Sequence, residues 1–252
     1  MGRPCGAKPQ RKPRRRLLFF RAGTTLFGLR GSSDMHEPHA TLQQHWIRHA
    51  RGIGLNKPSM SLFSKLVAAY SEPRRHYHSL RHWQECLQLL ERRGKGAAAR
   101  HEVGMALWFH YAIYDAQRED NEDKSARWAA RALKELRAAE EAVRLIVKLI
   151  RSTRHSSRAS SPRRLPEMAG VDLMLDIDLA IHGADRARFE DYERQVRFEY
   201  AHLSNAAFAQ GRADFVEALL GRTIYRTEVA RSELEGKARE SLTRALKAWR
   251  AA

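Results

Sequence analysis

Three histidines fall within the segment Arg75-His76-Tyr77-His78-Ser79-Leu80-Arg81-His82. His78 and His82 are four apart, so at a helix start they share a face, and imidazole pairs at that spacing suit a transition metal. The same residues also describe a solvated basic turn. A further histidine, His110, closes the apolar run Ala106-Leu107-Trp108-Phe109. An imidazole there needs a partner to offset its desolvation, and a backbone carbonyl would serve as well as a metal. Later, Asp172, Asp176 and Asp178 interrupt an apolar helix running from Val171 to Ala180. Asp172 and Asp176 share one face while Asp178 points about 200° away from Asp176. At least one of these carboxylates therefore meets the interior and requires a cation or donors. Histidines on two helices and an acid on a third can make a three-ligand metal site with open positions.

The elements that must position these residues are helical. From Thr41 onward apolar residues recur three and four apart with no sustained alternation, so the fold class is all-α. Ser59 is placed to cap a helix running to Tyr70, and Ser79 one reaching Arg93, closed by Gly94 and Gly96. Glu72-Pro73 marks the turn between them. Ala97 to about Ile113 reads as a buried helix ending in the polar loop Asp115 to Asp120. Asn121 or Asp123 starts a helix through Leu136, and another covers Ala142 to Ile150. Ser152 to Pro166, with Arg154, Arg158, Arg163 and Arg164 and no acid, reads as a loop. Helices then follow at Val171 to Ile181, Ala187 to His202, Asp214 to Leu220, and Thr227 to about Trp249.

Composition limits what this arrangement can be. The 252 residues are 43% hydrophobic, enough for one domain with a real core, expected over residues 35–252. Cys5 and Cys86 are too few for a disulfide framework and fit a reducing compartment, so the cytoplasm is the expected location. No apolar run approaches about 18 residues, which excludes a membrane span. There is no phosphate-binding G-x-x-x-x-G-K-[ST] loop, no G-x-S-x-G elbow and no C-x-x-C. The formal charge is +17. Residues 1–34 hold nine Lys or Arg against one acid and several Pro and Gly breakers, and read as a disordered basic tail or as sequence upstream of a start at Met35. This tail and the arginine-rich loop would attract a polyanion, which makes nucleic acid a rival partner. The five tryptophans, however, sit at core spacings and do not form a stacking platform.

Several segments together carry a family resemblance: Tyr70-Ser-Glu-Pro-Arg-Arg-His-Tyr-His-Ser-Leu-Arg-His82; Ala106-Leu-Trp-Phe-His110 followed by Tyr114-Asp115; Asp120-Asn121-Glu122 with Ser125-Ala126; Thr153 with His155; and Leu175-Asp-Ile-Asp-Leu-Ala180. In them the chain resembles a bacterial branch of the HD superfamily, the predicted metal-dependent HD phosphohydrolases, over nearly everything after Met35. The resemblance implies an HD-like helical bundle and a divalent metal ion (Mn, Fe, Co, Ni, Zn or Mg). His82 would be the first ligand, His110 the second and Asp178 the closing one, with Asp176 as substitute. His78 would donate a proton, Glu122 would orient water or a substrate group, and Arg75 or His155 would hold phosphate.

The sequence departs from the family at one position. Tyr111 stands where the family has the aspartate after its second histidine, so H-D reads H-Y. A phenol with pKa about 10 is a poor ligand at neutral pH. One weakly held ion is therefore expected in place of two. The implied activity is hydrolysis of a small phosphorylated substrate, a nucleotide being one candidate, with turnover weakened or lost. The alternative is a non-catalytic HD fold that binds phosphorylated ligands or nucleic acid through its basic surface.

Overall fold

A stretch such as Val103 to Phe109, with no polar side chain, has no face to offer solvent and must be surrounded. The computed structural model describes residues 1–2, 36–154 and 168–251 and shows how the chain achieves this. Its elements are α1 (His36–Gly52), α2 (Met60–Tyr70), α3 (Leu80–Arg93), α4 (Arg100–Phe109), α5 (Asn121–Glu135), α6 (Glu140–Ser152) and α7 (Val171–Asp178). They continue as a 3-10 turn (Leu179–Gly183), α8 (Arg186–Glu199), α9 (Asn205–Leu220), α10 (Glu228–Ala230), a π turn (Arg231–Glu235) and α11 (Gly236–Arg250). Among the described residues no strand occurs, and the fold is an all-α bundle. The basic tail and most of the arginine-rich loop, His155 included, lie outside the described residues.

Helix α4 is the buried axis: Val103 to Phe109 are all inaccessible, and α1, α3, α5, α6 and α7 pack around them. Trp46, Trp83 and Trp108 are fully buried in this first hydrophobic cluster, where Trp46 meets Trp108 edge-on at 5.3 Å. These three side chains offer no surface to a base. The second cluster is built by α8, α9 and α11 with Tyr77 and Leu179. The chain passes from one cluster to the other at α7: Ile177 belongs to the first and Leu179 to the second. Asp178 sits on the seam.

Close approach of α1 to α4 depends on glycine. A β-carbon at Gly104 would fall inside the imidazole of His49, and one at Gly52 inside that of His101. His49 is completely buried, and burial together with the neighbouring His101 pushes its pKa down to about 3, so it is neutral.

Local signals explain most helix ends. Ser59 caps α2 by accepting from the Leu62 N–H at 3.2 Å. Ser79 does not cap α3; its hydroxyl donates to the Tyr77 carbonyl instead. Helix α4 begins at Arg100, later than Ala97, because Ala99 adopts a left-handed conformation at φ 57°. Helix α9 starts at Asn205, well before Asp214, with Ser204 as its cap. No helix among the described residues is long and apolar enough to cross a membrane.

Candidate metal centre

Helix α3 opens with His82 on its buried face, α4 ends against His110, and α7 ends at Asp178. All three side chains are buried. The Nε2 atoms of His82 and His110 lie 3.3 Å apart, and Asp178 Oδ1 lies 3.6 Å from the first and 3.5 Å from the second. The centre of so nearly equilateral a triangle is about 2.0 Å from each corner, the length of a zinc–imidazole bond.

The surroundings orient these donors. His110 Nδ1 donates to the Leu107 carbonyl at 2.8 Å, which directs the Nε2 lone pair into the triangle, as metal-binding histidines require. Burial lowers the pKa of His82, although the facing Asp178 opposes that shift, so the ring favours its neutral, ligating form. Cys86, one turn after His82, brings its sulfur to 3.7 Å from His82 Nε2, and His82, Cys86 and His110 form a cluster able to hold a metal ion. Cys86 was invisible as a donor in sequence, although its i,i+4 spacing from His82 is a usable signal. The residues present fit a divalent cation.

His78 stands beside this triangle, its ring centroid 5.9 Å from that of His82. Its Nδ1 donates to Glu199 Oε2 at 2.7 Å, which fixes the orientation of the ring. Glu199, unnoticed in the sequence, closes α8, and its Oε1 accepts three successive backbone N–H groups, His76, Tyr77 and His78, at 2.8 to 2.9 Å. The Tyr114 hydroxyl donates to Oε2 at 2.8 Å. Burial alone would raise the Glu199 pKa; the charge of His78 and these hydrogen bonds outweigh it and hold the carboxyl at about 2. A carboxylate in the last turn of a helix, unfavourable against the helix dipole, is the one local signal in the sequence by which it could be found.

Tyr111 fills the place beside the triangle. Its ring lies 4.6 Å from that of His110 and 4.2 Å from that of His78. Burial and then the charge of Asp178 raise its pKa well above the ordinary phenol value, so the phenol favours its protonated form, a poor ligand. A cavity of about 420 Å³ opens here, lined by His78, Tyr111, Glu122 and Asp178, with Arg118 and Arg154 nearer solvent. A smaller cavity of about 270 Å³ reaches His82, Cys86 and Asp178 from the other side, past Arg92 and Arg188.

Two expected roles do not match the geometry. Arg75 is committed to the protein: its guanidinium, 1% exposed, donates to the carbonyls of Tyr111 at 2.5 Å and Ala112 at 3.2 Å and pairs with Glu72. It ties the His78 loop to the turn after α4 and faces no phosphate. Asp176 is likewise consumed. Its carboxylate accepts from Arg226 N, Thr227 N and the Thr227 hydroxyl at 2.6 to 2.8 Å, which fastens α7 to the start of α10 away from the triangle.

Comparison of the chain with protein-family models, with curated proteins and with solved structures gave no match.

Proposed function

We propose that the protein is an HD-type, metal-dependent phosphohydrolase acting on a small phosphate ester, with His82, His110 and Asp178 as the ligands of one divalent cation. The near-equilateral donor triangle is the observation that carries this reading. A bound cation supplies a water of lowered pKa and polarises the phosphoryl oxygen. His78, oriented by its hydrogen bond with Glu199, delivers a proton to the leaving oxygen. Glu122, on the wall of the same cavity, orients water or substrate. Arg118 and Arg154 draw the phosphate towards the opening.

The bulk and neutrality of Tyr111 favour a second reading, in which the same pocket binds a phosphorylated ligand without turning it over. Both readings are tested by one experiment. The full chain is purified, its metal content measured, and phosphate release from p-nitrophenyl phosphate and mixed nucleotides assayed with Mn, Co, Ni, Zn and Mg. Metal-stimulated release that disappears in Asp178→Ala supports the hydrolase. Stoichiometric metal and nucleotide binding without release supports the binder, and absence of both removes the site from consideration.

A further inference from the structure

A second group of histidines lies between α1, α3 and α4. His45 and His49 are four apart on α1, so their rings stack with centroids 6.3 Å apart and planes 8° from parallel. Glu91 of α3 faces both: its Oε1 is 3.4 Å from His45 Nδ1 and 3.9 Å from His49 Nε2. One donor atom from each of the three residues lies within 4.8 Å of the others. Ligand atoms of a tetrahedral ion with bonds of about 2.1 Å are about 3.4 Å apart, so the Glu91–His45 pair already has that spacing and His49 must draw in by side-chain rotation to close the set. Glu91 follows His82 by nine residues on α3, about 13 Å of helix, which separates the cluster from the first triangle.

What marks the cluster as a site is a deficit of partners. His49 has no exposure, yet among the described residues neither of its ring nitrogens has a hydrogen-bond partner. Nδ1 of His101, whose ring centroid is 5.5 Å from that of His49, likewise has no hydrogen-bond partner among the described residues. Buried polar atoms are rarely left so, because each has given up its hydration without a replacement. Two arginines hold the carboxylate meanwhile: Arg48 lies 2.7 Å from Oε1 and Arg100 2.7 Å from Oε2. They differ in freedom. The Arg48 side chain is 46% exposed and can turn into water, whereas that of Arg100 is 22% exposed and leaves Oε1 accessible.

We propose that His45, His49 and Glu91 form a second metal site, for a borderline-soft divalent ion of the zinc class, with Arg48 as the group a cation displaces. Two imidazoles and one carboxylate suit Zn, Co or Ni and disfavour Mg or Ca, which take oxygen ligands. In the absence of a cation Arg48 neutralises Glu91, to which it lies at 2.7 Å.

The test uses the full chain with the first triangle removed by His82→Ala and Asp178→Ala, and zinc as the probe. One equivalent should survive dialysis. Adding His45→Ala should weaken zinc at least tenfold in chelator competition, and adding Arg48→Ala should tighten it three- to tenfold. Cobalt should give visible absorption that His45→Ala abolishes. Failure of the background variant to hold zinc, or an affinity that ignores both His45→Ala and Arg48→Ala, overturns the proposal. Should the background variant not fold by circular dichroism, the same loss of one equivalent is read from the otherwise unaltered chain with and without His45→Ala.

Discussion

Both histidine clusters combine imidazoles with one carboxylate inside the same bundle, but they prepare for a cation differently. In the first, two Nε2 atoms and one Asp178 oxygen stand 3.3 to 3.6 Å apart around a common centre. In the second, the distances to Glu91 are 3.4 and 3.9 Å and arginines occupy both carboxylate oxygens. The first has its donors gathered; the second has a competing charge to remove. Ligand identity alone therefore does not rank the two, and the neighbouring cations do.

The sharpest way to break this contrast is to remove one corner of the triangle. His82→Ala, His110→Ala or Asp178→Ala should each lower metal-dependent phosphate release by about 10³-fold, with loss of one equivalent of metal. Retained activity in all three would leave the triangle without a catalytic role. The arginines offer the next contrast. Arg75→Met leaves buried carbonyls unpaired and should cost about 3 kcal/mol in denaturant unfolding, whereas Arg48→Met, at a half-exposed ion pair, should change it by less than about 1 kcal/mol.

Glu199 sharpens the comparison through pH. Its carboxyl is held near 2 in the folded protein against an ordinary 4.5. A depressed folded-state pKa gives stability that is fully present above about pH 4.5 and lost as pH falls towards 2. Glu199→Gln should therefore be less stable than the parent by up to about 3 kcal/mol at pH 7, with the gap narrowing on acidification. Unfolding curves that stay parallel from pH 7 to pH 3 would contradict this. The remaining effect is a gain: Tyr111→Asp adds a carboxylate beside His110 and should raise metal retention and phosphate release about tenfold.

Local features were legible in the sequence and long-range ones were not. The hydroxyl of Ser59 and the polarity-free run of α4 announce their elements because both act over one or two turns. The phase of Asp178 relative to Asp176 showed that the two must differ, but which one meets the histidines depends on α10 arriving to take Asp176. Arg75 reads as part of a basic turn or a phosphate holder, and is buried because the nearby carbonyl of His78 and two from the distant turn at Tyr111 and Ala112 converge on it. Glu199 reaches His78 across 121 residues, and no periodicity carries that information. The spacing of His45 and His49 is plain in the sequence, while the placement of Glu91 and His101 beside them is a product of helix packing that glycines at 52 and 104 permit.

The carboxylate of Glu199 also bears on the order of assembly. During synthesis the ribosome releases the segment bearing His76 to His78 long before α8, so that segment lacks the acceptor for its three amide protons until the C-terminal helices dock. A nascent N-terminal half can bury its tryptophans early, yet the imidazole of His78 acquires a fixed bearing only once α8 has been made and has docked.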